Sequence, residues 1–143
     1  MWAMNETAVP RFGDFSRLGD RARREGRLLV VLVSQHDCPY CELIKAEIIR
    51  PMIKARDFAD SILLGEIFID EGEQVVDFQG NRVPAADFAR RYGFFVTPTL
   101  LFLGPDGKEL VKQMVGINTV EMYFHYVSQS IEEGLKLLQG QVS

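Results

Sequence analysis

The chain has 143 residues, 47% hydrophobic and 25% charged, with a net charge of -4. This is the size and balance of one globular domain that buries a core without staples, and it offers no basic face for nucleic acid. No apolar run approaches the ~20 residues that span a bilayer, and two cysteines are too few for a disulfide framework.

A single domain over residues 1–143 is expected, with residues 1–11 flexible. Met1 to Ala8 has no basic region followed by an apolar one, so no signal peptide is visible. Asp14 to Gly26 reads as a helix, with Phe15, Leu18 and Ala22 on one face and Gly26 as its stop. The basic cluster Arg21, Arg23, Arg24 and Arg27 is interleaved with acids and reads as a solvated helix face. Leu28 to Val33 is six apolar residues in a row, a strand buried on both sides. Both cysteines follow at once, in Cys38-Pro39-Tyr40-Cys41.

Beyond Cys38 the pattern turns helical, with Leu43, Ile44 and Ile48 on an apolar side and Lys45 and Glu47 on a charged one. Pro51 lacks an N–H and must kink or end this helix; a further helix is expected over Met52 to Ala59. Ile62 to Ile69 reads as a second strand. Val75 to Phe78 with the turn Gln79 to Asn81 predicts a small hairpin around residues 75–83. Pro84 suits the first turn of a short helix, with Phe88 and Ala89 inward and Gly93 as its stop. Phe94 to Val96 leads into Thr97-Pro98-Thr99, and Leu100 to Leu103 is a third strand. Pro105-Asp106-Gly107 is a turn, since Pro presets φ and Gly accepts positive φ. Glu109 to Val115 returns as an antiparallel partner ending at Gly116. The last helix starts at Asn118 or Thr119, where Asn118 and Glu121 resemble a capping box. Val120, Phe124, Val127 and Ile131 then fall on its core face.

The fold class is therefore α/β: a mixed central sheet of about four to five strands, sandwiched by helices, with one small hairpin insert.

Cys38 ends a strand-to-helix loop and opens a helix. Its sulfur there faces unsatisfied N–H groups and the positive end of the helix dipole, which favour a thiolate. Cys41 lies one turn inward, within reach of it. Cys38 can then attack a disulfide and Cys41 can resolve the mixed intermediate. Pro39 fixes the first helical turn, and Tyr40 is expected beside the sulfurs, where a substrate would touch it. Two other readings stand beside this one. The pair is two buried, inert thiols, or it holds a metal. A metal needs two more ligands, and the only histidines are His36, in the loop, and His125, mid-helix. His36 reads as a loop residue that favours the thiolate and Asp37 as one that opposes it; His125 reads as a partly exposed structural histidine.

Cys38-Pro-Tyr-Cys41 after a buried strand, with Val96-Thr-Pro-Thr-Leu-Leu-Phe102 before a turn and hairpin, resembles the thioredoxin superfamily. The resemblance covers roughly Leu28 to Leu138 and implies a thioredoxin-like fold. It implies that Pro98 is a cis-proline against the cysteines, and that Thr97 offers its backbone to an extended substrate chain. Thioredoxins proper differ here. They have Gly-Pro between the cysteines, a buried Asp where Leu32 stands, and usually Ile where Thr97 stands. Without that acid, proton transfer from Cys41 must use water or another group. Pro-Tyr also occurs in glutaredoxins, whose Gly-Gly after the hairpin is replaced by Gly116-Ile117. Pro-Tyr with Thr97 also resembles bacterial periplasmic disulfide isomerases and reductases, but no dimerisation domain accompanies it here. The excursion Ile69 to Gly80, before the Ala89 to Gly93 helix end, resembles the periplasmic SoxW-type thioredoxins of sulfur-oxidation gene clusters.

The expected function is a monomeric thiol–disulfide oxidoreductase that reduces protein disulfides. Cys38 and Cys41 are catalytic, and Pro39, Tyr40, Thr97 and Pro98 bind substrate. The partners are protein thiols and disulfides and an upstream thiol electron donor. No cofactor, metal, nucleic acid or membrane insertion is expected. A disulfide isomerase or oxidase of the same fold is the alternative, and a module ligating metal or an iron–sulfur cluster between two chains is the further one. The excursion implies a periplasmic location; the missing signal points to the cytoplasm.

Overall fold

The computed structural model describes residues 8–93, 96–117 and 119–142. Residues 1–7, the Phe94-Phe95 lead-in and the Asn118 cap fall outside the described residues.

The all-apolar run becomes strand β1 (Leu28–Ser34), every residue of which is buried. Alternate side chains of a strand point to opposite faces, and each face of β1 meets its own core. Leu28, Val30 and Leu32 pack with Ile44, Ile49, Met52, Val127 and Ile131. Leu29, Val31 and Val33 pack with Phe15, Ala22, Phe88 and Ala89. β1 is parallel to β2 (Ile62–Phe68) and antiparallel to β5 (Thr99–Leu103), which pairs antiparallel with β6 (Glu109–Val115). The sheet order is β2-β1-β5-β6. It is a mixed four-stranded sheet flanked by helices. The hairpin insert forms a separate two-stranded sheet from β3 (Gln74–Val76) and β4 (Arg82–Pro84).

Helix α1 (Phe15–Glu25) is capped by Asp14, whose carboxylate accepts from the Ser16 and Arg17 amides, and it ends at the left-handed Gly26. The arginines of this region lie among acids: Arg21 and, just beyond the helix, Arg27 pair with Glu25, and Arg23 lies near Asp20. Pro10 and Arg11, expected to be flexible, are instead tied to the edge of β2. Glu66 donates its amide to the Pro10 carbonyl at 2.8 Å and accepts from the Phe12 amide at 2.9 Å. Gly65 permits this approach, because a Cβ there would lie only 2.4 Å from the Phe12 ring.

Residues 39–55 are helical throughout: α2 (Pro39–Ile44), a π turn (Lys45–Ile49) and α3 (Arg50–Ala55). The expected kink at Pro51 is absorbed by that π turn, in which the Arg50 amide reaches back to the Lys45 carbonyl. The wider turn makes room for a residue that has no N–H to give and whose ring would clash one turn back. One residue departs from the expected faces: the Lys45 amide bonds back to the Cys41 carbonyl, which sets it one ordinary turn from the buried Cys41. Lys45, placed by periodicity on the charged side, is buried. The expected helix to Ala59 stops at Ala55, because Arg56 takes the left-handed conformation, φ 60°.

Helix α4 (Ala85–Arg90) buries Ala85, Phe88 and Ala89. Helix α5 (Val120–Val142) buries Tyr123, Val127, Ile131 and Leu138. Phe124, expected in the core, is 40% exposed. The buried stripe steps by four through Tyr123, Val127 and Ile131, which places Phe124 about 100° round the helix from it.

Candidate active site

The site lies at the C-terminal end of β1. Ser34 is the last residue of that strand, and its carbonyl accepts from the Ile69 amide at 3.0 Å, which fixes where the chain leaves the sheet. The loop Gln35–Asp37 crosses to α2. Cys38 sits at the N-cap with an extended backbone, its sulfur accepting from the Cys41 amide at 3.2 Å and its carbonyl from the Glu42 amide at 3.0 Å. The two cysteines are joined in a disulfide, their Cα atoms 5.2 Å apart. Their exposures differ: Cys38 is half-buried, whereas Cys41 is 0% exposed. Pro39 and Tyr40 bulge outward between them, Tyr40 with 64% of its surface open.

Thr97 and Pro98 meet this pair from the start of β5. The Thr97–Pro98 peptide bond is cis. Several contacts pin it: the Pro98 carbonyl accepts from the Gly116 amide at 2.8 Å, and the Thr99 hydroxyl donates to the Val96 carbonyl at 2.7 Å. Gly116 does this with φ 67°, which favours glycine. The Thr97 hydroxyl lies 3.5 Å from the Cys38 sulfur and donates to the Gln35 side-chain oxygen at 3.0 Å. Thr97, 59 positions along the chain from Cys38, is thus brought against the Cys38–Cys41 disulfide.

His36 is committed elsewhere. Its backbone amide reaches both Asp70 oxygens, at 3.0 and 3.2 Å, and its Nδ1 lies 3.0 Å from Asp70 and 3.4 Å from Glu71. Its ring stacks on Phe68, centroids 4.3 Å apart, and the Arg11 guanidinium lies 4.4 Å from that same ring. The Asp70 hydrogen bond raises the His36 pKa above its ordinary value, and the Glu71 charge adds to it. The residue read as favouring the thiolate is instead the clasp that ties the loop to the end of β2. With Asp70 and Glu71 it is the one group of three potential metal-ligand side chains among the described residues, and neither cysteine belongs to it. His125, offered as another ligand, is exposed on α5 with its ring against Tyr126.

Leu32 is fully buried, and no acid stands on β1 at that depth. A buried carboxylate comes from the next strand instead. Glu66 pairs in register with Leu32, and its Oε2 lies 2.9 Å from the Lys45 ammonium, one helical turn beyond Cys41. Sequence reasoning missed Glu66, Lys45, Asp70 and Gln35. Asp70 and Glu66 belong to β2 or its end, and nothing local in the sequence says that β2 lies beside β1.

A family profile described as a thioredoxin-like domain matches residues 19–131. The chain belongs to the thioredoxin-like family. Solved structures agree in fold. Mitochondrial thioredoxin 3 of Saccharomyces cerevisiae, in its oxidised form, aligns with a TM-score of 0.59 at 16% identity, covering 90% of this chain and 98% of that one. Thioredoxin NaTrxh of Nicotiana alata gives 0.56 at 19% identity, covering 86% and 95%. Trichomonas vaginalis thioredoxin gives 0.54 at 21%, covering 90% and 97%. No curated protein matches the chain. With its cysteine pair at the head of α2, this thioredoxin-like domain is a thiol–disulfide oxidoreductase acting on protein thiols and disulfides. Among the described residues no helix is long and apolar enough to cross a membrane.

Proposed function

We propose that the protein reduces disulfides in other proteins, with Cys38 as the attacking sulfur and Cys41 as the resolving one. The observation that carries this is the asymmetry of the pair: Cys38 is half-buried at a helix start, and Cys41 is sealed one turn behind it. Only the first sulfur is open to a macromolecular partner. A partner cysteine bonded to Cys38 would lie against Tyr40 and Pro39 on one side and the Thr97–Pro98 backbone on the other. Thr97 then offers an edge-strand pairing to an extended substrate segment.

The direction follows from how sparingly a Cys38 thiolate would be stabilised. Strong oxidants are strong because their reduced form is stabilised. Here, among the described residues, the sulfur has one backbone donor, from Cys41. The nearby hydroxyl of Thr97 reaches a thiolate only by giving up its bond to Gln35, and the His36 ring is held by Asp70 and Glu71. Such a dithiol gives up electrons readily. The same reading supplies an upstream thiol donor that recharges the pair, a monomeric protein, and, by the resemblance of the Ile69 to Gly80 excursion to SoxW-type thioredoxins, a periplasmic site of action.

Two measurements test this. Cys41→Ser should trap mixed disulfides with partner proteins and Cys38→Ser should not; equal trapping by both would reverse or void the roles. The reduction potential of the pair should lie near the thioredoxin value of ~-270 mV. A value near ~-120 mV would make the protein an oxidant.

A further inference from the structure

We propose that Gln35 is a positioning residue: it holds the Thr97 hydroxyl away from the Cys38 sulfur while the pair is a disulfide, and thereby favours the oxidised form. The proposal rests on the reading of Cys38 as the attacking sulfur.

In the disulfide neither sulfur carries a proton, so Thr97 is the only donor in its 3.5 Å contact with Cys38. A hydroxyl has one proton to give. A disulfide sulfur is a weak acceptor, and the Gln35 amide oxygen, at 3.0 Å, is the better one. Reduction changes the competition. A donor dithiol delivers two electrons and becomes a disulfide. The Cys38–Cys41 bond breaks, Cys41 takes one of the donor's two protons, and the other passes to solvent. Cys38 is left as a thiolate. A charged acceptor makes the stronger hydrogen bond. The Thr97 hydroxyl therefore turns about its own C–O bond toward sulfur and leaves Gln35. The lost Thr97–Gln35 bond opposes reduction each time the pair is charged.

Gln35 and Thr97 are 62 positions apart in the chain, so this contact exists only because the loop after β1 faces the cis-proline loop. Gln35 is exposed and packs no core. The charges around the loop, among the described residues, are Asp37, His36 with Asp70 and Glu71, Arg11 with Glu73, and Glu42 with Lys45. None changes when Gln35 is replaced by a neutral residue.

The test is a double-mutant cycle on the full chain: Gln35→Ala, Thr97→Val and both together. The readouts are the Cys38 pKa, from thiolate absorbance, and the equilibrium constant against a glutathione buffer. Gln35→Ala should lower the Cys38 pKa by up to about one unit and shift the equilibrium roughly two- to tenfold toward the dithiol, as loss of one neutral hydrogen bond dictates. That is about 9–30 mV for a two-electron couple. In the Thr97→Val background, Gln35→Ala should change neither. An equal effect in both backgrounds would overturn the proposal, as would a rise in the Cys38 pKa on Gln35→Ala. Trapping by the Cys41→Ser variant reports separately on Cys38. A chain that traps through Cys38 but shows no coupling loses the Gln35 assignment alone.

Discussion

Breaking the buried ion pair beneath the site should separate its two members sharply. Lys45 Nζ lies 2.9 Å from Glu66 Oε2 and 2.9 Å from Glu42 Oε2. The Lys45 and Glu66 side chains are 7% and 4% exposed, whereas Glu42 is 61% exposed. The contact with Glu66 falls outside hydrogen-bond angles, so its worth is coulombic. At an effective dielectric constant of 20 two charges at this separation attract by about 6 kcal/mol, which desolvation of both groups largely cancels. Lys45→Met leaves Glu66 buried without a counter-charge and should cost about 3–5 kcal/mol. Glu66→Leu leaves Lys45 still paired with the solvated Glu42, and should cost only about 1–2 kcal/mol, closer to the surface-pair range. The double variant should recover to near the native value. Urea denaturation with the disulfide intact reads all three. With a slope of about 2 kcal/mol/M, Lys45→Met should lower the midpoint by roughly 2 M. Equal losses from the two single variants, or a double variant as unstable as their sum, would refute the account of Lys45 as the shared cation of one buried and one exposed carboxylate.

The loop clasp should titrate. His36 has a raised pKa in the folded protein, chiefly from Asp70. Its stabilising contribution is therefore full below the ordinary histidine pKa, near 6.5, and is lost as pH rises through the raised value. NMR titration of the ring should show that raised value, and Asp70→Asn should bring it back down; no change on Asp70→Asn would remove Asp70 as the cause. On α5, Ile131→Ala should cost about 2–5 kcal/mol because Ile131 is fully buried, whereas Phe124→Ala should stay within about 0.5 kcal/mol. Comparable losses in thermal or chemical unfolding would mean that α5 presents a different face.

Periodicity predicted the fold well where one physical rule governed. Leu28 to Val33 has no polar residue, and only a strand covered on both faces makes that run favourable; both covering layers are present. Glu109 to Val115 and its turn follow from the Pro-Asp-Gly chemistry alone. The errors arose where two rules competed. At Pro51 the absent donor was met by a π turn rather than a break, and at Lys45 a charged residue one turn from the buried Cys41 was placed on the solvent side although Glu66 receives it inside. At Phe124 a hydrophobic residue was assigned to the core face, but a helix of 23 residues offers more apolar side chains than one stripe can bury.

The site was legible to the extent that its residues are sequence-local. Cys38 and Cys41 share one helical turn, so spacing alone brought their sulfurs together. The residues that tune them come from elsewhere. Asp70 and Glu66 reach the site across the β1–β2 pairing, and Thr97 across the β1–β5 pairing. A parallel neighbour joined by a helical crossover leaves no local mark of its register, because a slip by one residue changes every partner. Had β2 slipped by one, Glu66 would have turned to the opposite face of the sheet, away from Lys45. The environment of the cysteines is therefore a property of strand register, whereas their pairing is a property of the helix. This is why a C-x-x-C motif identifies the chemistry and says little about its direction.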